Sequence, residues 1–207
     1  KMKKALKIFF IFLAAVAVIY VVLVIIRMFH FYNLDKTNEQ VAKIHNTKLT
    51  MDDVIGKNLP PDPGAEADKT IQGIDANKNG IRDDVELAIF KKYPDSAKTR
   101  AVLLQYALAL QMEAIQPVVN KETVIATIQE EDRADICIAD ALVPRKSPES
   151  ARDYSDIEKI DKFINFVENK QLNTPERKKF RTDFYEKIGS YNSLPNVCDI
   201  DYLSLLN

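Results

Sequence analysis

A twelve-residue stretch of the chain carries oxygen-bearing side chains at alternating positions, the spacing with which a loop can wrap around a cation. The stretch covers residues 75–86 and reads DANKNGIRDDVE. Calcium takes six to eight oxygen ligands at about 2.4 Å, and a short loop can supply them by folding around the ion. The candidate ligands, at loop positions 1, 3, 5, 7, 9 and 12, are Asp75, Asn77, Asn79, the backbone carbonyl of Ile81, Asp83 and Glu86. The spacing therefore predicts a calcium site.

The remaining positions of the loop suit the same prediction. Gly80, at position 6, permits the sharp turn that follows the first three ligands. Position 7 contributes only a backbone carbonyl, so Ile81 can be apolar, and Glu86 can bind through both carboxylate oxygens. The alternative is a metal-free turn that caps the next helix, because Asn, Asp and Gly favour turns without any ion.

The loop resembles the EF-hand calcium loop, and its ending GIRDDVE is similar to DxDxDG-type loops of secreted bacterial proteins and thrombospondin type 3 repeats. The resemblance covers about 12–16 residues and implies calcium as the cofactor. Asn77 and Asn79 stand where aspartate is usual, and Arg82 stands where paired EF-hands place an aliphatic residue. A single loop with three carboxylates implies weak binding, with Kd on the order of 0.1–1 mM, and a structural role for the ion.

A second group of acidic residues lies farther along the chain. The group consists of Glu130, Glu131, Asp132 and Asp135. Paired carboxylates carry out the acid and base steps of glycoside hydrolysis, so a cell-wall glycosidase is the enzymatic alternative. We interpret these acids first as a solvated helix face, as we do the basic cluster at residues 177–181, and we predict that the protein is not an enzyme.

The distribution of charge excludes several classes of function. The first 30 residues hold five of the 29 basic residues and none of the 30 acidic ones, so the remainder holds 24 basic and 30 acidic residues. An acidic body argues against nucleic acid as a partner. The five scattered glycines form no phosphate-binding loop, and two histidines are too few for a multi-histidine zinc site. One of the two, His45, is interpreted as a surface residue.

An uncharged apolar run near the start of the chain predicts a transmembrane helix. The run, Ile8–Ile26, has 19 residues, or about 28 Å as a helix, which matches the hydrocarbon thickness of a membrane. Four lysines precede it, which favours a cytoplasmic N-terminus and puts residues 33–207 outside the cytoplasmic membrane. The alternative is a cleaved signal peptide, but cleavage after Ala17 would leave an apolar new terminus.

The chain has two cysteines, and both lie in the part that is predicted to be exported. Thiols in an oxidising compartment usually pair, so we predict a disulfide between Cys137 and Cys198. It would close a loop of about 60 residues and contribute about 4 kcal/mol in the chain-entropy account. Two buried free thiols are the alternative in a reducing compartment.

The elements that must position these groups are predicted to be helical. Apolar residues after the loop recur at helical spacing, and no useful period-2 alternation is present. The sequence thus predicts an all-α fold with an N-terminal transmembrane helix, a proline-rich linker and an EF-hand-like loop that leads into about five bundled helices. The predicted domains are a basic tip and anchor at 1–32, a stalk and linker at 33–70, and an extracytoplasmic domain at 71–207.

Capping signals predict where the helices begin and end. The start signals are Thr50, Ser96, Ser155 and Thr174, and the end signals are Pro94, Pro117 and Gly189. Apolar residues at helical spacing predict a further helix at about Lys121–Leu142. Thr50 with Asp53 predicts a short helix at Met51–Ile55.

These features together predict a membrane-anchored extracytoplasmic calcium-binding module with a structural or partner-binding role at the cell envelope. The expected partners are the membrane and a protein or envelope component. Besides the glycosidase, the other alternative is an accessory subunit of a membrane complex, in which the membrane helix itself is a partner surface.

Overall fold

The computed structural model describes residues 2–147 and 149–205, which form helices and contain no β-strand. The α-helices are α1 (Met2–Asn46), α2 (Met51–Ile55), α3 (Asp83–Lys92), α4 (Ala97–Ile115), α5 (Lys121–Leu142), α6 (Tyr154–Gln171) and α7 (Pro175–Tyr185), with 3-10 turns at Gly64–Asp68 and Tyr202–Ser204. The predicted all-α fold is confirmed, and α3 to α7 are the five helices of the predicted bundle.

The first of two compact units contains the apolar helix. The units comprise residues 2–40 and 41–205, and α1 makes up the whole of the first unit. The apolar side chains of Ile8–Ile26 are exposed on every side of the helix. In length and composition this helix is able to cross a membrane, which supports the predicted membrane anchor.

Helix α4 is the centre of the second unit. All fifteen residues from Thr99 to Glu113 are buried. A helix that is buried on every side must be surrounded by other elements, and α2, α3, α5 and α6 all pack against α4. The helix thereby organises both the bundle and the segment that precedes the loop.

The predicted capping residues begin three of the helices, α2, α4 and α7. Ser96 accepts a hydrogen bond from the backbone amide of Thr99 at 3.1 Å and caps α4. Thr174 caps α7 in the same way, with Pro175 as its first residue. The short helix α2 has the predicted bounds and the predicted cap at Thr50.

Two predicted ends are wrong. Helix α6 is capped by Asp153 and not by Ser155, because the Asp153 carboxylate accepts the hydrogen bond of the Asp156 amide at 3.0 Å. Helix α7 ends at Tyr185, so Gly189 lies beyond the helix and does not terminate it.

The predicted disulfide is present and fastens the C-terminal segment to the bundle. Cys137 belongs to α5, and its partner Cys198 lies in the irregular segment after α7. Arg133, one turn earlier on α5, donates hydrogen bonds to the backbone carbonyls of Asn196 and Val197 at 3.2 and 3.3 Å. A covalent bond and two hydrogen bonds from one helix therefore hold this segment.

A buried arginine holds the proline-rich linker in a similar way. Arg177 of α7 is 2% exposed and donates hydrogen bonds to the backbone carbonyls of Ala67, Thr70 and Ile71. It also pairs with Asp68 at 2.7 Å. The interpretation of residues 177–181 as a solvated basic cluster is therefore wrong for Arg177.

We expect Arg177→Met to lower the free energy of unfolding by about 2–4 kcal/mol. The substitution leaves buried carbonyl oxygens without donors, and each unsatisfied group costs about 1–3 kcal/mol. Denaturant unfolding of the full chain in detergent micelles, followed by circular dichroism, measures the change. The exposed neighbour supplies the control, because Lys178→Met should change stability by less than about 0.5 kcal/mol. Equal losses in the two variants would contradict the role of Arg177.

Candidate functional site

The backbone of residues 75–86 forms a closed loop whose end is the first turn of α3. The Asp75 carboxylate closes it by accepting hydrogen bonds from the backbone amides of Asn79 at 3.2 Å and Gly80 at 2.9 Å. Gly80 has a φ of +84°, and a Cβ atom there would lie 2.7 Å from Cδ1 of Leu108. Both the turn and the close approach of α4 therefore require glycine at loop position 6.

Three of the predicted ligands converge inside the loop. The side-chain amide nitrogen of Asn77 donates to Oε2 of Glu86 at 3.0 Å, and that of Asn79 donates to Oε1 at 3.1 Å. Loop positions 3, 5 and 12 therefore face one another. Glu86 is 1% exposed, and its side-chain hydrogen-bond donors within the described residues are these two neutral amides.

The loop concentrates negative charge where water is excluded. Burial raises the pKa of the Glu86 carboxyl to about 7, although hydrogen bonds from Asn77 and Asn79 act in the opposite direction. Burial likewise raises the pKa of Asp83. A buried carboxylate without a cationic partner is unfavourable in its charged form, so a bound cation would relieve this cost.

The other predicted ligands have different contacts. Both carboxylate oxygens of Asp83 accept from the backbone amide of Ala76, at 3.0 and 3.2 Å, while Ile81 is fully buried. Across residues 2–147 and 149–205, no three His, Cys, Asp or Glu side chains are grouped so that they could hold a metal. A cation in the loop would therefore depend on the amide oxygens of Asn77 and Asn79 as much as on carboxylates.

The residues present fit a hard cation if the two amides turn over. Rotation of either side-chain amide by half a turn replaces its nitrogen by its oxygen at the same place, and oxygen is the atom that binds calcium. For Asn79 this rotation would exchange the hydrogen bond between its Oδ1 and the Ile81 amide, now 2.9 Å long, for a bond to the ion. Calcium suits such an irregular oxygen set better than magnesium, which demands near-octahedral geometry.

Arg82, which stands where paired EF-hands place an aliphatic residue, makes contacts with the helical bundle. Its side chain is fully buried and donates to the backbone carbonyl of Gln171 at 2.9 Å. It also pairs with Asp84, outside the predicted ligand set. The position therefore connects the loop to the end of α6.

Two groups beside the loop were not predictable from the sequence. Oδ1 of Asp53, in α2, accepts a hydrogen bond from the Asn79 side-chain amide at 3.4 Å. The backbone carbonyl of Asn58 accepts from the Asn77 side-chain amide at 3.0 Å. Capping was the only role that the sequence indicated for Asp53, since 26 residues separate it from Asn79.

The acidic residues of α5 lie in different surroundings. Glu130 is 1% exposed, and its Oε1 lies 2.8 Å from Nδ1 of His45. Glu131 is also buried and accepts hydrogen bonds from Arg181 and Tyr185. The interpretation as a solvated face is therefore wrong for both glutamates, and the interpretation of His45 as a plain surface residue is wrong as well.

The two aspartates of this group line a cleft of about 220 Å³ together with Tyr106, Tyr185 and Tyr191. Asp132 Oδ2 and Asp135 Oδ1 are buried there without a hydrogen-bond partner in the described part of the chain. Burial, with the negative charges of neighbouring carboxylates, raises the pKa of Asp135 to about 6. The cleft thus contains a carboxyl group that titrates near neutral pH.

We expect Asp135→Asn to gain stability relative to the original chain as pH rises. The pKa of this carboxyl is about 6 in the folded chain and has an ordinary value of 3.8, so the folded state binds the proton more tightly. The original chain therefore loses stability between about pH 4 and pH 6, and the variant does not lose that contribution.

Denaturant unfolding at pH 4.5 and pH 7.5 measures this difference. The free energy of unfolding of Asp135→Asn minus that of the original chain should be larger at pH 7.5 than at pH 4.5. For Glu122→Gln, at an exposed position of the same helix, this difference should be the same at both pH values. An equal difference at both pH values for Asp135→Asn would refute the raised pKa of Asp135.

Known proteins do not identify this site. No protein-family model matches the chain, and neither a curated protein nor a solved structure was found to match it. The features that bear on function are therefore the membrane helix, the loop and the cleft.

Proposed function

We propose that the chain is a membrane-anchored protein whose extracytoplasmic domain binds calcium in the loop of residues 75–86. The observation that carries the proposal is the surroundings of Glu86. This carboxylate is buried, faces the side-chain amides of Asn77 and Asn79, and has no cationic partner among the described residues. Such a carboxylate is unfavourable in its charged form, and a bound cation would remove this cost.

The proposed orientation has two independent supports. Lysines precede the apolar run of α1 and favour a cytoplasmic N-terminus. The disulfide between Cys137 and Cys198 suits an oxidising compartment on the other side of the membrane. The domain would then face an exterior in which calcium is abundant enough for a weak site.

The proposed role of the site is structural. A bound calcium ion would neutralise the carboxylates that the loop brings close to its two amides. The loop joins the linker to α3, and Gly80 contacts α4, so the loop's conformation fixes how the linker enters the bundle. The ordered surface would then be presented to a protein or envelope component.

A calcium titration of the full chain in detergent micelles tests this proposal. Calorimetry should give a Kd on the order of 0.1–1 mM. At 10 mM calcium the free energy of unfolding should rise by about 1.4–2.7 kcal/mol, because the ion binds only the folded state. Asp75→Ala and Glu86→Gln should each abolish both effects, while Glu122→Gln should preserve them. Absence of binding up to about 10 mM would show that the loop is a metal-free turn.

The acidic cleft favours a second candidate function, a cell-wall glycosidase. A general acid must keep its proton near the working pH, and the pKa of Asp135, about 6, meets this requirement. Asp132 and Glu131 are the other two carboxylates of the cleft. Glu130 is unsuited to the role, because contacts with His45 and Arg133 fix its carboxylate as an ion-pair partner.

Release of soluble fragments from purified peptidoglycan tests the enzymatic candidate. A glycosidase should release fragments fastest between about pH 5 and pH 7, and Asp135→Asn should reduce the rate by at least about 100-fold, the usual contribution of general acid catalysis. Glu122→Gln is the control and should keep the original rate. If the original chain releases no fragments, the glycosidase proposal is refuted and only the proposed calcium-binding module remains.

A further inference from the structure

The disulfide lies close to the segment that joins the end of α1 to α2. We propose that the bond between Cys137 and Cys198 is a redox-sensitive strap. While the bond is closed, residues 196–199 fasten residues 45–49 to the helical bundle, and reduction by a dithiol loosens that segment. The contacts involved belong neither to the loop of residues 75–86 nor to the acidic cleft.

Asp199, the residue after Cys198, contacts the segment between α1 and α2 directly. Its side chain is 1% exposed. Oδ2 accepts a hydrogen bond from the backbone amide of Leu49 at 2.9 Å, and Oδ1 lies 3.8 Å from Nζ of Lys48. Leu49 is buried and lies outside a helix, so its amide needs an acceptor from elsewhere in the fold. Asp199 supplies that acceptor.

A buried carboxylate of α5 completes the fastening. Oε1 of Glu130 lies 2.8 Å from Nδ1 of His45, and Oε2 accepts a hydrogen bond from Lys48 at 2.8 Å. Arg133 lies between the two carboxylates and donates to Oε2 of Glu130 and to Oδ1 of Asp199, both at 2.6 Å. A displacement of Asp199 would therefore break its bond to Leu49 and also remove a partner from Arg133.

The disulfide keeps residues 196–199 in the position that these contacts require. Gln105 of α4 donates to the backbone carbonyl of Val197 at 2.8 Å and accepts from the backbone amide of Asp199 at 2.9 Å. Within residues 186–205 the structure contains no α-helix, so these hydrogen bonds lack the cooperative support of a helix and can open together. The bond to Cys137 limits such opening, because it holds the segment covalently against α5.

Cys198 is the end of the disulfide that a reductant can reach. Cys137 is 1% exposed, whereas Cys198 is partly exposed. A thiolate of the dithiol attacks Sγ of Cys198, the S–S bond breaks, and the Cys137 sulfur leaves as a thiolate that takes up a proton. The second thiol of the reductant then displaces Cys198 in the same way. The reductant ends as a disulfide, and the chain holds two thiols.

Hydrogen exchange of the full chain in detergent micelles and calcium-free buffer tests the strap. Reduction by dithiothreitol should speed exchange of the Leu49 amide at least about tenfold in NMR spectra, because a cross-link typically shifts an opening equilibrium by more than this factor. The Gly80 amide is the matched control. It also donates to an aspartate carboxylate, that of Asp75, at 2.9 Å, and its exchange should change by less than about twofold.

A chain without thiols separates the effect of the bond from that of the reductant. Cys137→Ser combined with Cys198→Ser should show the fast Leu49 exchange without dithiothreitol, and adding dithiothreitol should change that exchange by less than about twofold. Thermal melting followed by circular dichroism verifies that this variant folds. If it does not fold, the comparison of Leu49 with Gly80 in the oxidised and reduced original chain decides.

Two results would overturn the proposal. Unchanged Leu49 exchange after complete reduction would show that the noncovalent contacts alone fasten residues 45–49. Equal acceleration at Leu49 and Gly80 would show that the disulfide stabilises the whole domain and does not act on this segment in particular.

Discussion

Backbone carbonyl groups that are buried outside regular helices must find hydrogen-bond donors, and in this chain arginine side chains supply them. Arg177 donates to carbonyls of the linker, Arg133 to those of the C-terminal segment, and Arg100 to those of Tyr93 and Pro94 between α3 and α4. A guanidinium group offers five donors in a fixed plane, so one side chain can satisfy several carbonyls. The long irregular segments can therefore pack on a helical core without pairing into strands.

The same constraint explains why the candidate site lies where it does. The loop of residues 75–86 follows a segment that Arg177 holds, and the first turn of α3 that ends it packs against α4. These attachments bring the loop beside α2 and keep Glu86 away from water. A buried carboxylate in this position is costly in its charged form.

Features that depend on neighbouring residues were predictable, and features that depend on distant ones were not. The cap at Thr50 predicts the start of α2, and the cap at Ser96 with the stop at Pro117 predicts the bounds of α4. The extent of α5 follows from apolar spacing, and the apolar run of α1 follows from composition. The contacts of His45 with Glu130 and of Asp53 with Asn79 join residues 85 and 26 positions apart. Spacing within a helix cannot reveal such pairs, because each residue has an ordinary local role of its own.

Helix α4 has a further consequence for the ancestry of this protein. Since every residue from Thr99 to Glu113 is enclosed by the domain, no face of the helix is free to accumulate substitutions. Exposed stretches such as the outer side of α7 are under much weaker packing restraint. Distant homologues should thus retain this helix and the arginines that serve the irregular segments longest, even where the acidic loop has been lost.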